Sequence, residues 1–276
     1  SICDDDDATQ EVLQLDAAAK KQGVTVLTGM GWTPGITNLL AKKGAGLLDT
    51  AEKVHISWAG SLADAEGLAV VLHTMHIFTG RVPTFREGEL QLVRAGSGGH
   101  KVAFPAPLGS VTVYHVGHPE PVTIPRFLPG INEVSLCGGL AEGFLNYVSI
   151  GMARLGLTRT PERRARLAER LMPLLPTLKA MAPQTRPLSG IHVEVVGSKD
   201  GRPAHVEIAA VDRMARLTSL PLVVATLMVG SGALQTAGVI APEAPGGPDV
   251  DQVLSALTRY GLKWHGGEVE YLEDQE

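Results

Sequence analysis

Cysteine is nearly absent from the 276-residue chain: Cys3 and Cys137 are too few and too far apart for a disulfide framework or a thiolate metal site, and each is expected as a small reduced core side chain. A strong charge of either sign is lacking too. The 24 basic and 29 acidic residues leave a net charge of -5, which argues against a polyanionic partner such as nucleic acid. No apolar run reaches the roughly 18 residues of a membrane span, and no signal-peptide pattern opens the chain, so a cytoplasmic protein without a membrane partner is expected.

What the chain does have is apolar content and length. At 44% hydrophobic, 276 residues can bury a core that needs no staples, and two lobes are expected. The stretch VTVLTGMGWTPGITNLLAKKGAGLL carries the clearest local pattern. Val24 to Thr28 read as a buried strand interrupted by Gly29 and Gly31. Thr33-Pro34-Gly35 then opens an amphipathic helix, with Thr33 as its cap, Pro34 at its first position, and Ile36, Leu39, Leu40, Leu47 and Leu48 on the buried side. Such a turn is similar to the ligand turn of a dinucleotide-binding fold.

Upstream, Ile2-Cys3 read as the tail of a strand. A helix is expected from Asp7 to about Lys21, started by a capping-box-like Asp7/Gln10 pair, with Ala8, Val12, Leu15 and Ala19 on one face and Gly23 closing it. A strand-helix-strand crossover makes parallel strands that need cover on both faces, so the chain is expected to begin partway through an open α/β sheet. Further on, KVHISWAG reads as a strand and LAVVLHTMHIF as a helix. GELQLVRAGSGGHKVAFP, SVTVYHVGH, EPVTIPRF and NEVSLCGGL read as strands between Gly- and Pro-rich turns. Helices are expected around 141–155 and 161–178, and GIHVEVVGS and RPAHVEIAAV as strands joined at Lys199-Asp200-Gly201. SLPLVVATLMVGSGAL reads as an apolar helix, GVIAPEAPGGPDV as a loop and DVDQVLSALTRYGLKW as a final helix and turn, while PERRARLAER reads as a solvated helix face.

In order along nearly the whole chain, ICDD at a strand end, GMGWTPGITNLLA, a sheet-rich middle and AGVIAPE before a helix ending RYGLKW resemble saccharopine dehydrogenase-like oxidoreductases. The specific parts are the Gly-x-x-Pro-Gly-x-x-Asn turn and the Gly-Val-x-x-Pro-Glu segment. The resemblance implies an α/β architecture: a remnant of a Rossmann-type parallel sheet over 1–52, a mixed-sheet α+β substrate and dimerisation lobe over 53–215, and C-terminal helices over 216–276 that return to the first part. It also implies hydride exchange between NAD or NADP and a carbon-nitrogen bond of an amino acid or polyamine-type substrate. Cys3, Asp4, Gly29, Gly31, Pro34, Gly35 and Asn38 would lie beside the nicotinamide. The same family has an upstream glycine-rich phosphate turn. Here GSGG at Gly96–Gly99 falls in an expected hairpin turn and GSG at Gly230–Gly232 in an expected helix, so the chain is expected to be an inactive fragment holding no cofactor.

In YHVGHPEPVTIPRFLPG, an arginine fork at Arg126, with His115 beside it, suits a substrate carboxylate, and His118 or Glu120 suits proton transfer to or from nitrogen. His-x-x-His-x-Glu is not a metal pattern. His73 and His76 stand three apart on a helix without an evident third ligand, and Asp4 to Asp7 read as a polar loop and helix start, with a divalent cation as the lesser alternative, so no metal is expected. The rival readings are a reductase of a carbon-carbon double bond on a related scaffold and a non-catalytic binding or oligomerisation protein. Short strands that leave open edges favour a homodimer. Without a glycine-rich phosphate turn, the chain should bind NAD(P)H weakly or not at all. Titration of reduced-cofactor fluorescence checks this, and saturable micromolar binding would contradict it.

Overall fold

The computed structural model describes residues 1–65, 67–181 and 186–273. Helices α1 (Asp6–Leu13) and α2 (Asp16–Lys21) lead to β1 (Thr25–Leu27), and α3 (Ile36–Leu47) precedes β2 (Thr50–Gly60). After α4 (Gly67–Ile77) come β3 (Arg81–Arg86), β4 (Glu89–Arg94), β5 (His100–Phe104) and β6 (Gly109–His115). Then follow α5 (Glu120–Phe127), β7 (Glu133–Leu140), α6 (Gly143–Arg154), α7 (Pro161–Leu171) and α8 (Leu175–Met181). The last elements are β8 (Ser189–Lys199), β9 (Arg202–Asp212), α9 (Met214–Gly230), β10 (Gly238–Ile240), α10 (Val250–Arg259) and β11 (Trp264–Tyr271). No described helix is long and apolar enough to cross a membrane.

The architecture is mixed α/β with two sheets. β1 and β10 form a parallel pair, Thr25 opposite Gly238 and Leu27 opposite Ile240. The larger sheet has nine strands in the order β11-β9-β8-β2-β7-β3-β4, with β6 also on β7 and β5 on β6. Its one parallel pair among the described residues is β2 with β7, and their carboxyl ends finish together at Gly60 and Leu140.

Alternation along the strands decides which face is buried. Val54, Ile56 and Trp58 of β2, Val134 and Leu136 of β7, and Ile191, Val193 and Val195 of β8 point into one core with Ile36, Leu39 and Leu40 of α3. The intervening His55, Ser57, Ser135, Cys137, His192 and Glu194 line the opposite face. The core also takes in Leu27, Leu217, Leu257 and Leu262, so residues from all three expected segments share it. Lys43 joins α3 to α10 through Asp251 at 2.7 Å.

Several expected elements differ. The first helix is two: α1 buries Thr9 and Leu13, whereas Leu15, expected on the apolar face, is exposed beyond the break. The Asp7/Gln10 box does not form, since Asp7 accepts from the adjacent Ala8 N–H and Gln10 donates to the Asp6 carbonyl. EPVTIPRF is helix, not strand: Pro119 and Pro121 suit a first turn that needs no N–H, and this outweighs the β-branched Val122, Thr123 and Ile124. Gly96–Gly99 is no hairpin turn, because β4 pairs with β3 and β5 with β6. Within the expected loop GVIAPEAPGGPDV lies β10, and the expected terminal turn leads into β11, whose pairing with β9 shifts register between Gly266 and Val269 and so hides the alternation.

Helix α3 begins later than its sequence suggests. Gly35 is the N-cap, its N–H donating to Asn38 Oδ1 at 2.9 Å, and Thr33 is not the cap. The turn is closed by Gly31 N–H to the Pro34 carbonyl (2.9 Å) and Ile36 N–H to the Gly31 carbonyl (3.0 Å). Gly35 has φ +130° and a Cβ there would sit 2.1 Å from the Gly31 oxygen, so this glycine is required by the turn itself. Gly35→Ala should therefore lower folding stability by on the order of 3 kcal/mol or more in denaturant titration. A change within about 0.5 kcal/mol would contradict that assignment.

Candidate active site

The closed turn brings Thr33 and the first turn of α3 against the start of α5. Thr33 Oγ1 donates to Glu120 Oε1 at 2.6 Å and Thr37 Oγ1 to the same oxygen at 2.9 Å. Asn38, already holding Gly35, donates through Nδ2 to Thr123 at 3.2 Å. Glu120 is 0% exposed. Burial pushes its carboxyl up to about 7, against the pull of the two threonine donors.

Next to this clasp lies a cleft of about 840 Å³ at the carboxyl ends of β2 and β7, bounded by Gly60, Ser61 and Leu140, by Cys3 to Asp5, and by Gly31, Trp32 and Thr33. That size is in the range of small-molecule sites. Trp32 and Trp58 stand at one wall with ring centroids 5.8 Å apart, and Gly138 makes room for Trp58, since a Cβ there would fall 2.1 Å from the indole. His118 also lines the cleft, its ring 6.1 Å from that of Trp58 and 5.3 Å from that of His73. It is 1% exposed. Burial first, and then the nearby His73, hold its pKa well below the usual imidazole value, so it is neutral. Its Nδ1 is 3.8 Å from Glu120 Oε2, long for a hydrogen bond. Neither His118 nitrogen, nor Trp58 Nε1, nor Glu120 Oε2 has a hydrogen-bond partner, although all are buried. Buried polar atoms left unmet at and behind one cleft call for a partner, which a water, an ion or a ligand in the cleft would supply.

Opposite, α4 presents His73 and His76 to the Asp4–Asp5 loop. Burial opposes a charge on His73, but Asp5 and Asp4 outweigh it and its pKa is raised. Asp5 is correspondingly lowered by His73, while burial raises Asp4. Arg164 of α7 also lines the cleft, with one guanidinium nitrogen on the Thr158 carbonyl at 3.1 Å.

The expected site residues are thus divided. Cys3, Asp4, Gly31 and His118 line the cleft, and Glu120 lies directly behind it. Gly29, Pro34, Gly35 and Asn38 are buried in the turn and shape it from behind; a Cβ on Gly29 would meet Pro34 at 2.9 Å, not open space. Arg126 sits in the last turn of α5, 5.5 Å from the Phe127 ring centroid, outside the cleft lining. His115 points to the other face of the large sheet, with Nδ1 3.6 Å from Cys137 Sγ. Helical winding of α5 and alternation along β6 separate residues that adjoin in sequence. Arg164 and the two tryptophans were missed, and His73 was considered only as a metal ligand and set aside. The His73/His76 spacing was visible, but its carboxylate partners lie far off in sequence, and Arg164 is hidden within a charged helix that reads as solvated.

No family model matches this sequence, and no curated protein matches it either.

The raised carboxyl makes a pH prediction. Folded Glu120 keeps its proton up to about 7 and an unperturbed one only to about 4.5, so its stabilising protonation is fully present below 4.5 and lost as pH rises through 7. Relative to Glu120→Gln, the wild-type chain should lose about 3 kcal/mol across that interval, at about 1.4 kcal/mol per pH unit. Urea titrations of both proteins at several pH values check this, and a constant difference would contradict it.

Proposed function

We propose that the chain is part of an NAD(P)-dependent oxidoreductase acting on a carbon-nitrogen bond of an amino acid or polyamine-type substrate, as its resemblance to saccharopine dehydrogenase-like enzymes implies. The observation that carries this reading is His118: a buried neutral imidazole without a hydrogen-bond partner, opening on an aromatic-walled cleft and backed by a protonatable carboxyl. In the same proposal, β1, β10 and α3 belong to a Rossmann-type lobe, and the cleft lies beyond the carboxyl ends of parallel strands, where open α/β sheets bind ligands.

A nicotinamide ring suits this cleft in size and in its Trp32, Trp58 and Gly31 lining. The phosphates of a dinucleotide find less: among the described lining residues Arg164 is the one arginine, and there is no lysine. When bound, the nicotinamide would supply or accept the hydride. The residues of this chain handle the proton. His118, lining the cleft, exchanges it with the substrate nitrogen. Glu120 acts through His118, since closing the 3.8 Å gap by roughly 1 Å makes a hydrogen bond along which the imidazole is reprotonated. Arg164, in place of Arg126, receives the substrate carboxylate, because it is the guanidinium on the cleft wall. A homodimer belongs to the same proposal, supported by Leu90 and Leu92, exposed on the outer strand β4.

Hydride transfer tests the reading: with NAD or NADP the chain should stay inactive for want of a phosphate turn, so it is given oxidised nicotinamide mononucleotide, which makes no demand on that turn, with carboxylate-bearing amines, and the reduced ring is followed by absorbance. His118→Gln should slow turnover by about 10²–10⁴-fold without a change in melting. Arg164→Ala should raise KM by the equivalent of about 1.5–3 kcal/mol, and Arg126→Ala should change neither constant. Absence of transfer by the wild-type protein at saturating mononucleotide, or undiminished transfer in His118→Gln, would overturn the proposal.

A further inference from the structure

The His73 side of the cleft has the chemistry of a cation site, and this goes beyond the hydride reading and does not depend on it. His73 and His76, one helical turn apart on α4, share a face that meets the loop before α1. Asp4 Oδ2 lies 3.4 Å from His73 Nε2, and Asp5 Oδ1 lies 3.8 Å from His73 Nδ1 and 3.6 Å from His76 Nε2. Hydrogen bonds between such groups close to about 2.7–3.2 Å. The 3.4 Å gap between Asp4 and His73 Nε2 instead matches the spacing of neighbouring donors on one cation, about 3.3–3.5 Å for tetrahedral bonds of about 2.0–2.1 Å, whereas the two Asp5 gaps run to the other His73 nitrogen and to His76. One donor atom each from Asp4, Asp5 and His73 falls within 4.8 Å of the others.

A second observation points to a ligand at the same spot. His118 is buried, packs edge-on against the His73 ring at 5.3 Å, and has no hydrogen-bond partner on either nitrogen. Its Nδ1 is on the side of Glu120, so Nε2 is on the ring edge away from that carboxyl. A water carried by a cation at Asp4, Asp5 and His73 would give His118 the partner it lacks.

We propose that Asp4, Asp5 and His73 bind a first-row divalent cation of the Zn²⁺ class, with its open coordination positions facing the cleft. The mixed imidazole and carboxylate donors favour such an ion over Ca²⁺ or Mg²⁺, which prefer all-oxygen sites. The cation would then serve as a Lewis acid toward a carbonyl or imine in the cleft.

Equilibrium dialysis of the 276-residue chain against Zn²⁺, with Co²⁺ as a spectroscopic substitute, tests this. The expected result is one cation per chain and a visible cobalt spectrum of low-symmetry nitrogen and oxygen coordination. His73→Gln and Asp5→Asn should each weaken binding by at least about tenfold. His205→Gln should leave it unchanged, because His205 lies with Glu194 and Glu207 in a separate cluster on β8 and β9. Circular dichroism verifies that each variant is folded, and if His73→Gln is not, Asp5→Asn decides. No stoichiometric cation on the wild-type chain, binding retained in the folded His73→Gln or Asp5→Asn variant, or binding lost in His205→Gln would overturn the proposal.

Discussion

A single buried carboxyl, Glu120, ties the glycine turn before α3 and that helix's first turn to the middle of the chain. Thr33 and Thr37 reach it across 87 and 83 residues of sequence, and both donate to the same oxygen. Leaving an ionised carboxylate in this interior would be costly, so the group is either hydrogen-bonded or protonated, and here it is both donor-supported and raised in pKa. The constraint fixes more than Glu120. It sets the glycine turn, which carries Trp32, against α5, whose start follows His118, so both lining side chains are held from the same joint.

Asn38 shows how tightly the clasp and the helix are joined. Its oxygen holds the Gly35 N–H and its amide nitrogen reaches Thr123, so one fully buried side chain both starts α3 and binds it to α5. Behind it, Glu243 of the segment following β10 is also buried and raised in pKa by burial, close enough to push Glu120 further in the same direction. Two acidic side chains in one interior, each favouring its neutral form, give this region a charge state that follows pH although little of it meets solvent.

Periodicity made the frame legible. Strands β2, β7, β8 and β9 and helices α3 and α9 follow their apolar spacing, because packing against one continuous core agrees with local propensity there. Elements shaped by backbone detail were harder to see: α5 looks extended from Val122-Thr123-Ile124, and β11 is masked by Gly266-Gly267. The site was legible in part for the same reason. Thr33, His118 and Glu120 stand out by residue type, but Thr33 looks like a helix cap because sequence gives no sign of a carboxyl that arrives from α5. His115 and Arg126 adjoin His118 in the chain and are carried away by the geometry of β6 and α5. The His73–Asp5 contact and Arg164 arise from long-range packing, to which spacing along the chain is blind.

Glu120 as a buried carboxyl that keeps its proton near neutrality is the property on which the rest depends. The direct measurement is its side-chain carboxyl ¹³C shift as a function of pH, assigned by comparison with Glu120→Gln. A midpoint near 7 is the predicted result, and one near the ordinary 4.5 would contradict a buried carboxyl that keeps its proton and the proposed proton path that relies on it.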